Sequence, residues 1–392
     1  MESNNDNQEK MDKQKTHRPL FSTIAIVFIA AVLGLSFAGI IKPDVKYSEE
    51  ENRVLTELPK LDTGSVRDKS FMTDLEEYTA DQFVLRDWWI RLKVNCELLT
   101  GKREFNGVYL GKDRYLMQIP TEPDQKNVED NLNAMNQFAE QNKDLTISAL
   151  IIPNAAYVMR DDLPTGAPVR DQKKDMEYIQ KQLNGEISCI DVTKTLQEHK
   201  EEGIYYKTDH HWTSKGAAYA FDAAAMQLGI AEPVKDYKIY TVTMDFSGTL
   251  ASKSGYHKAE DSIEVYVPEN TEVQYLVSDS DNGEKRPTVY DRSALNGKDK
   301  YQVFFGGNHA RVDITTANRT KKRLLMFKDS YANCFVPFLL PYYNEIIMID
   351  PRYYYDNVQA LIANRGITDI LFLYNMDTFL NDNSIADVLI SE

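Results

Sequence analysis

Hydrophobic positions fall along this chain in four rhythms, and each predicts a different element. From residue 20 to residue 41 no charged side chain interrupts a mostly apolar run of about 22 residues, long enough to cross a bilayer as a helix. Lys10, Lys13, Lys15, His17 and Arg18 precede it, and positive charge there puts the N-terminal end in the cytoplasm and the rest outside. Ser36-Phe37-Ala38 offers small residues to a signal peptidase, but the run exceeds the roughly 7–15 residues of a cleavable signal, so an uncleaved plasma-membrane anchor is expected over 19–42. Residues 1–18 are polar and expected to be a disordered tail, and 43–69, with Glu49, Glu50 and Glu51, an extended charged linker.

The second rhythm is helical. Phe71, Leu75, Tyr78, Phe83, Leu85, Trp88, Trp89 and Leu92 predict helix over 70–99. The third consists of short apolar blocks between amphipathic stretches. Strands are predicted over 107–111, with 115–116 as hairpin partner, and over 145–152, 187–192, 323–327, 345–349 and 369–374. Helices are predicted over 127–142, 173–183 and 216–228. Strand and helix in alternation imply an α/β fold, a parallel sheet with right-handed crossovers and helices on both faces. The fourth rhythm, alternating stretches at 238–244, 262–267 and 301–305, marks 237–313 as a β-rich insertion or lid within a domain spanning 70–392.

Composition narrows the function. Of 392 residues, 42% are hydrophobic and 27% charged, a balance that can bury a sizeable core. The net charge of −15 excludes the basic face that nucleic acid requires. Cys96, Cys189 and Cys334 show no CxxC or metal spacing and build no disulfide framework. The 23 tyrosines fit either carbohydrate stacking or half-buried strand positions.

Chemistry concentrates at two points. Thr208-Asp209-His210-His211-Trp212-Thr213 packs an acid and two imidazoles together in a chain with six histidines. A carboxylate bonded to one ring nitrogen sets the tautomer of a general base. The segment equally suits a solvated loop before a helix, with Thr213 or Ser214 as N-cap. Asp209, His210 and His211 could also ligate zinc, but no spaced ligand pattern accompanies them, and neither metal nor cofactor is expected. The other point is Lys328-Asp329-Ser330-Tyr331, after a strand. A nucleophile there would sit at the open edge of the sheet, its backbone N–H and the dipole of a following helix ready to stabilise an oxyanion. Asp-Ser is also an ordinary N-cap. Asn375, ending the last strand, is either a second oxyanion donor or a turn former. Gly306-Gly307-Asn308-His309 suits a substrate contact or a simple turn.

Taken together these residues resemble a family. Asp209-His210-His211-Trp212 is the signature of the DHHW proteins, which resemble the SGNH-hydrolase-like (flavodoxin-like) proteins that O-acetylate exported polysaccharides, such as the alginate acetylation factors. Asp81-Gln82-Phe83 with Arg86, the stretch 107–116, and the Lys-Asp-Ser-Tyr-Ala-Asn run from Lys328 carry the same likeness. The resemblance implies Ser330 as nucleophile, His211 as base and Asp209 as its orienting acid, in a circularly permuted order, with Asn375 as oxyanion residue. Lys328 stands where the family's serine block has Gly, and Asp350-Pro351-Arg352-Tyr353 lacks the oxyanion Gly. His210, Trp212, Asn308, His309 and Arg352 complete the candidates as substrate-binding residues. It further implies a polysaccharide substrate and a membrane-bound O-acyltransferase partner. An acetyl-esterase would use the same three residues, and a non-catalytic glycan-binding scaffold would keep only the fold.

Overall fold

A computed structural model describes residues 2–269, 273–280 and 283–390, with side chains from residue 21 onward. The basic flank from Lys10 to Arg18 and parts of the β-rich segment (270–272 and 281–282) lie outside those described side chains or residues. The chain divides into two compact units, Met1–Asn95 and Cys96–Glu392.

In the first unit a helix runs over Glu2–Ile41. It takes in the polar stretch expected to be disordered, because nothing in that stretch breaks a helix before Pro19. Its Phe21–Ile41 part is long and apolar enough to cross a membrane, and none of it is buried against protein. The helical pattern of 70–99 is two helices, Ser70–Asp81 and Arg86–Leu99. The break follows from two side chains. Asp81 is buried and accepts from Arg53 Nη1 (2.9 Å), Thr56 N (2.9 Å) and Thr56 Oγ1 (3.1 Å). Gln82 bonds both the N–H and the carbonyl of Val45, each at 3.0 Å. These contacts tie the helix end to the segment read as an extended linker, and Leu85 takes a positive φ of 57° to restart the chain.

The second unit is built on one eight-stranded sheet. Its strands are β1 (Thr146–Ile152), β2 (Ile187–Ile190), β3 (Tyr275–Asp279), β4 (Lys285–Arg286), β5 (Arg311–Thr316), β6 (Arg323–Lys328), β7 (Glu345–Ile349) and β8 (Asp369–Asn375). Their order is β4-β3-β5-β7-β6-β8-β1-β2. The five strands from β7 to β2 are parallel, as expected. The other three add antiparallel at one edge. That corrects the expectation of an all-parallel sheet with a separate insertion. The segment 237–313 is β-rich, but β3, β4 and the start of β5 extend the main sheet, and among the described residues the hairpin of Tyr237–Phe246 with Asp261–Pro268 stands apart from it.

The continuous apolar runs are explained by burial on both faces. Leu324 and Met326 of β6 point into one core, and Leu325 and Phe327 into the other. β7 and β8 divide the same way, with Phe327 and Phe372 stacked 4.9 Å apart. Helices Gln125–Gln141, Gln172–Gln182 and Val358–Arg365 cover one face, while Ser214–Ala224 belongs to the other.

Thr213 caps that last helix by accepting from Gly216 N at 3.2 Å. Gly216 is needed there because a Cβ would stand 2.4 Å from the carbonyl oxygen of Ile204. Gly216→Ala is expected to destabilise the unit by about 1–3 kcal/mol, since neither backbone can give way freely, and a lowered midpoint in thermal unfolding checks it.

Candidate active site

The loop 205–213 doubles back on itself. A bridge joins Tyr205 to Trp212, Tyr206 N donates to His211 O (3.2 Å), and Thr213 N donates to Ile204 O (2.9 Å). From outside the loop, the Asp261 carboxylate accepts from Lys207 N and Thr208 N, both at 2.8 Å, and from Thr208 Oγ1 at 2.6 Å. Burial raises the Asp261 carboxyl above its usual range. The turn thus folded puts Asp209, His210 and His211 on its tip.

Asp209 is buried and accepts four hydrogen bonds. Its Oδ1 takes His211 N (3.0 Å) and His211 Nδ1 (2.5 Å), and its Oδ2 takes Thr249 N (2.8 Å) and Thr249 Oγ1 (2.9 Å). Burial alone would raise this carboxyl. The imidazoles of His210 and His211 and the donated bonds outweigh it and hold the group below the ordinary carboxylate range, so it stays ionised. An ionised carboxylate only accepts, so the proton of His211 lies on Nδ1. Nε2 is then left as an acceptor, 2.7 Å from Ser330 Oγ. The Tyr301 ring stacks on the His211 ring at 3.8 Å and 11°, and its hydroxyl donates to Ser330 O at 3.1 Å. Tyr301 therefore braces both partners of that contact.

Ser330 is delivered by β6. Asp329, just past the strand, accepts from Tyr331 N (2.9 Å) through Oδ1 and from Asn375 N (2.8 Å) through Oδ2. These bonds turn the chain into a short 3₁₀ turn, Ser330–Cys334. An α-helix was expected here. A five-residue 3₁₀ turn supplies little macrodipole, and Tyr331 N and Ala332 N are both taken by Asp329 (2.9 and 3.3 Å), so any main-chain stabilisation of negative charge rests on the Ser330 N–H. Asn375 lies opposite this point, because Lys328 of β6 pairs with Leu373 of β8. Its Oδ1 accepts from Asp377 N (3.0 Å) and Asn154 Nδ2 (3.1 Å). A main-chain N–H can only donate, which fixes the amide orientation and leaves Asn375 Nδ2 buried without a partner among the described residues.

The remaining candidates divide. His210 donates from Nδ1 to Thr249 Oγ1 (2.8 Å), which itself donates to Asp209, and its ring lies 3.9 Å from that of His211. Burial and the neighbouring His211 lower its pKa. Trp212 is fully buried, stacked on Phe335, with Nε1 donating to Tyr331 O at 2.8 Å. It is a core residue that joins the two loops. Arg352 is committed to Asp350 through two bonds of 2.8 and 2.6 Å. Asp350 also lies 3.7 Å from Lys328 Nζ, which donates to Asn308 Oδ1 at 3.0 Å. Burial lowers the Lys328 pKa. The Lys in place of Gly thus seats its chain in a buried ionic cluster, and Asn308 and Arg352 serve that cluster. His309 bonds Phe305 O through Nε2 (2.9 Å) and stands 2.9 Å from Asp279 through Nδ1, closing a turn of three positive-φ residues. Its two ring contacts are structural.

Asp209, His210 and His211 also present ligand atoms within 4.8 Å of one another. An ion there would have to replace the Asp209–His211 bond. Sequence reading missed Gly248, Thr249, Asp261 and Tyr301. None has a motif, and their separation of 39–92 residues from Asp209 conceals their proximity.

A family model described as DHHW protein matches residues 123–349, more than half of the chain. No match is found among curated proteins. Among solved structures, a DHHW family protein from Eubacterium siraeum is 26% identical with a TM-score of 0.64, covering 74% of this chain and 98% of that one. PatB1 of Bacillus cereus, solved with a sulfonyl adduct, is 18% identical with a TM-score of 0.60, covering 72% of this chain and 97% of its own, and shares the fold.

A Cβ on Gly248 would stand 2.4 Å from both Cβ and Oδ2 of Asp209. Gly248→Ala is therefore expected to shift the carboxylate and slow sulfonylation of Ser330 by phenylmethanesulfonyl fluoride about 100-fold. Intact-mass kinetics measure this, and an unchanged rate would mean that His211 does not depend on where Asp209 sits.

Proposed function

This chain belongs to the DHHW protein family, and from that premise we propose that it is an extracytoplasmic serine O-acyltransferase, transferring acetyl to a cell-envelope or exported polysaccharide. The observation that carries the reading is the continuous row of bonds from Asp209 through His211 to Ser330 Oγ. Two loops 119 residues apart in sequence meet there in the geometry a nucleophile and its base require.

In the proposed reaction Ser330 Oγ attacks the carbonyl carbon of an acyl donor while His211 Nε2 takes the hydroxyl proton. Asp209, still ionised, stabilises the imidazolium. The negative oxygen is met by the Ser330 N–H and by the unpartnered Asn375 Nδ2. The donor's carbon–oxygen or carbon–sulfur bond then breaks, His211 returns the proton to the leaving group, and an acyl-Ser330 ester remains. A glycan hydroxyl gives its proton to His211, attacks the ester and leaves acylated, and Ser330 regains its proton. Water in place of the glycan would make the same residues an acetyl-esterase. The apolar helix Phe21–Ile41 supports a place beside a multi-spanning O-acyltransferase that would bring the acyl group across the bilayer.

The first test is release of p-nitrophenol from p-nitrophenyl acetate. Ser330→Ala and His211→Ala are each expected to lower kcat by about 1000-fold or more while leaving the fold intact. Equal rates in all three proteins would move the reading to a glycan-binding scaffold. If the rate is lost, adding soluble envelope oligosaccharides separates the two enzymes, because acetylated sugar accumulates only if the glycan is the acceptor.

A further inference from the structure

In the first unit, helix Arg86–Leu99 buries Val94 on one side and leaves the opposite side bare. Leu85, Trp88, Trp89 and Leu92 recur at spacings of three, one and three, which places them on one face. They are 64%, 52%, 38% and 38% exposed, and Phe83, just before them, is 42% exposed. Two adjacent tryptophans on a solvent-facing stripe cost solubility unless something covers them.

Two observations set the level of this face. Gly39 lies two residues before the end of the apolar helix at Ile41, or about 3 Å along its axis at 1.5 Å per residue. A Cβ on Gly39 would lie 3.8 Å from Val84 Cγ2, so the turn between Phe83 and Leu85 rests against the last turn of the span. Lys42, which follows the span, lines one cleft with Trp88 and Leu85. The aromatic face is therefore held where a crossing helix leaves the hydrocarbon, the depth at which Trp rings are favoured, apolar body inward and N–H outward. Lys93 borders the stripe on one side, with a stem long enough to carry its charge up to the headgroups, while Arg91 on the other side is paired with Glu50.

We infer that Phe83, Leu85, Trp88, Trp89 and Leu92 insert into the interfacial layer of the outer leaflet crossed by Phe21–Ile41, so that the first unit lies on the bilayer as well as being tethered to it. The occupant of the face is lipid. Such seating would replace a freely swinging tether with a second attachment next to the span.

The chain offers its own probe, because Trp88 and Trp89 are two of its three tryptophans and the third, Trp212, is fully buried in the second unit. Full-length protein is reconstituted into phosphatidylcholine–phosphatidylglycerol vesicles, and its flotation with them is confirmed. Lipid brominated close to the glycerol is expected to cause roughly a twofold loss of Trp emission, as rings at interfacial depth require. Trp88→Phe/Trp89→Phe, which keeps the rings but removes the indoles, should abolish that quenching and keep the Trp212 emission. Three results would overturn the inference: failure of the chain to float with the vesicles, quenching that persists in the double variant, or indoles quenched by aqueous iodide and not by bromolipid. The last would leave the face solvated and open to a protein partner instead.

Discussion

A carboxylate removed from water must be compensated bond by bond, and Asp209 is the place in this molecule where that requirement organises everything around it. Four donors converge on it: two from His211 and two from Thr249. Satisfying them folds the loop 205–213 into its tight return, draws Gly248 against the carboxylate and fixes which nitrogen of His211 faces Ser330. Removing any one of these donors would leave charge unsatisfied in a buried site, so the loop has few alternative conformations. Ionisation and orientation have a single origin.

The sheet supplies the complementary half. In a parallel sheet, successive strands end at the same edge, and the ends of β1, β6 and β8 bring Asn154, Asp329 with Ser330, and Asn375 there together. Asp329 locks that edge by binding the backbone of both its own turn and β8. Burial raises its carboxyl toward the neutral form, as for Asp261. Neither acid is part of the row that ends on Ser330. Both hold backbone, whereas Asp209 is bonded directly to the His211 imidazole.

The segment 237–313 has a larger part in this than a lid would. It gives three strands to the sheet edge, and it also contributes Gly248 and Thr249 beneath Asp209, Asp261 behind the loop and Tyr301 across the face of His211. The half of the site that holds the imidazole is thus assembled largely by Gly248, Thr249, Asp261 and Tyr301, which belong to no motif. Trp212 and Tyr331 then join that half to the serine turn: Trp212 Nε1 bonds Tyr331 O, and the Tyr331 hydroxyl bonds His210 O.

Local features were legible in the sequence because they depend on near neighbours. The apolar run 20–41, the strand blocks buried on both faces, the turn of Asp209 onto His211 two residues later, and the strand–Ser330 junction all follow from spacing and side-chain type. The break at Gln82 was not legible, because its cause is Arg53 and Val45 far upstream. The antiparallel edge strands had the alternation of any hairpin, and only pairing with β7 shows that they extend the main sheet. Trp212, Arg352 and His309 had residue types that suit a ligand, yet their partners turned out to be protein: Tyr331, Asp350, Phe305 and Asp279. A polar or aromatic side chain does not record which acceptor lies beside it. By itself, then, the sequence determined the order of elements and the residue types of the site, since periodicity and local turns are short-range. Which of those side chains meet one another and which are taken up in bracing the fold was decided by the tertiary structure, since that depends on burial and on hydrogen-bond partners brought in from distant parts of the chain.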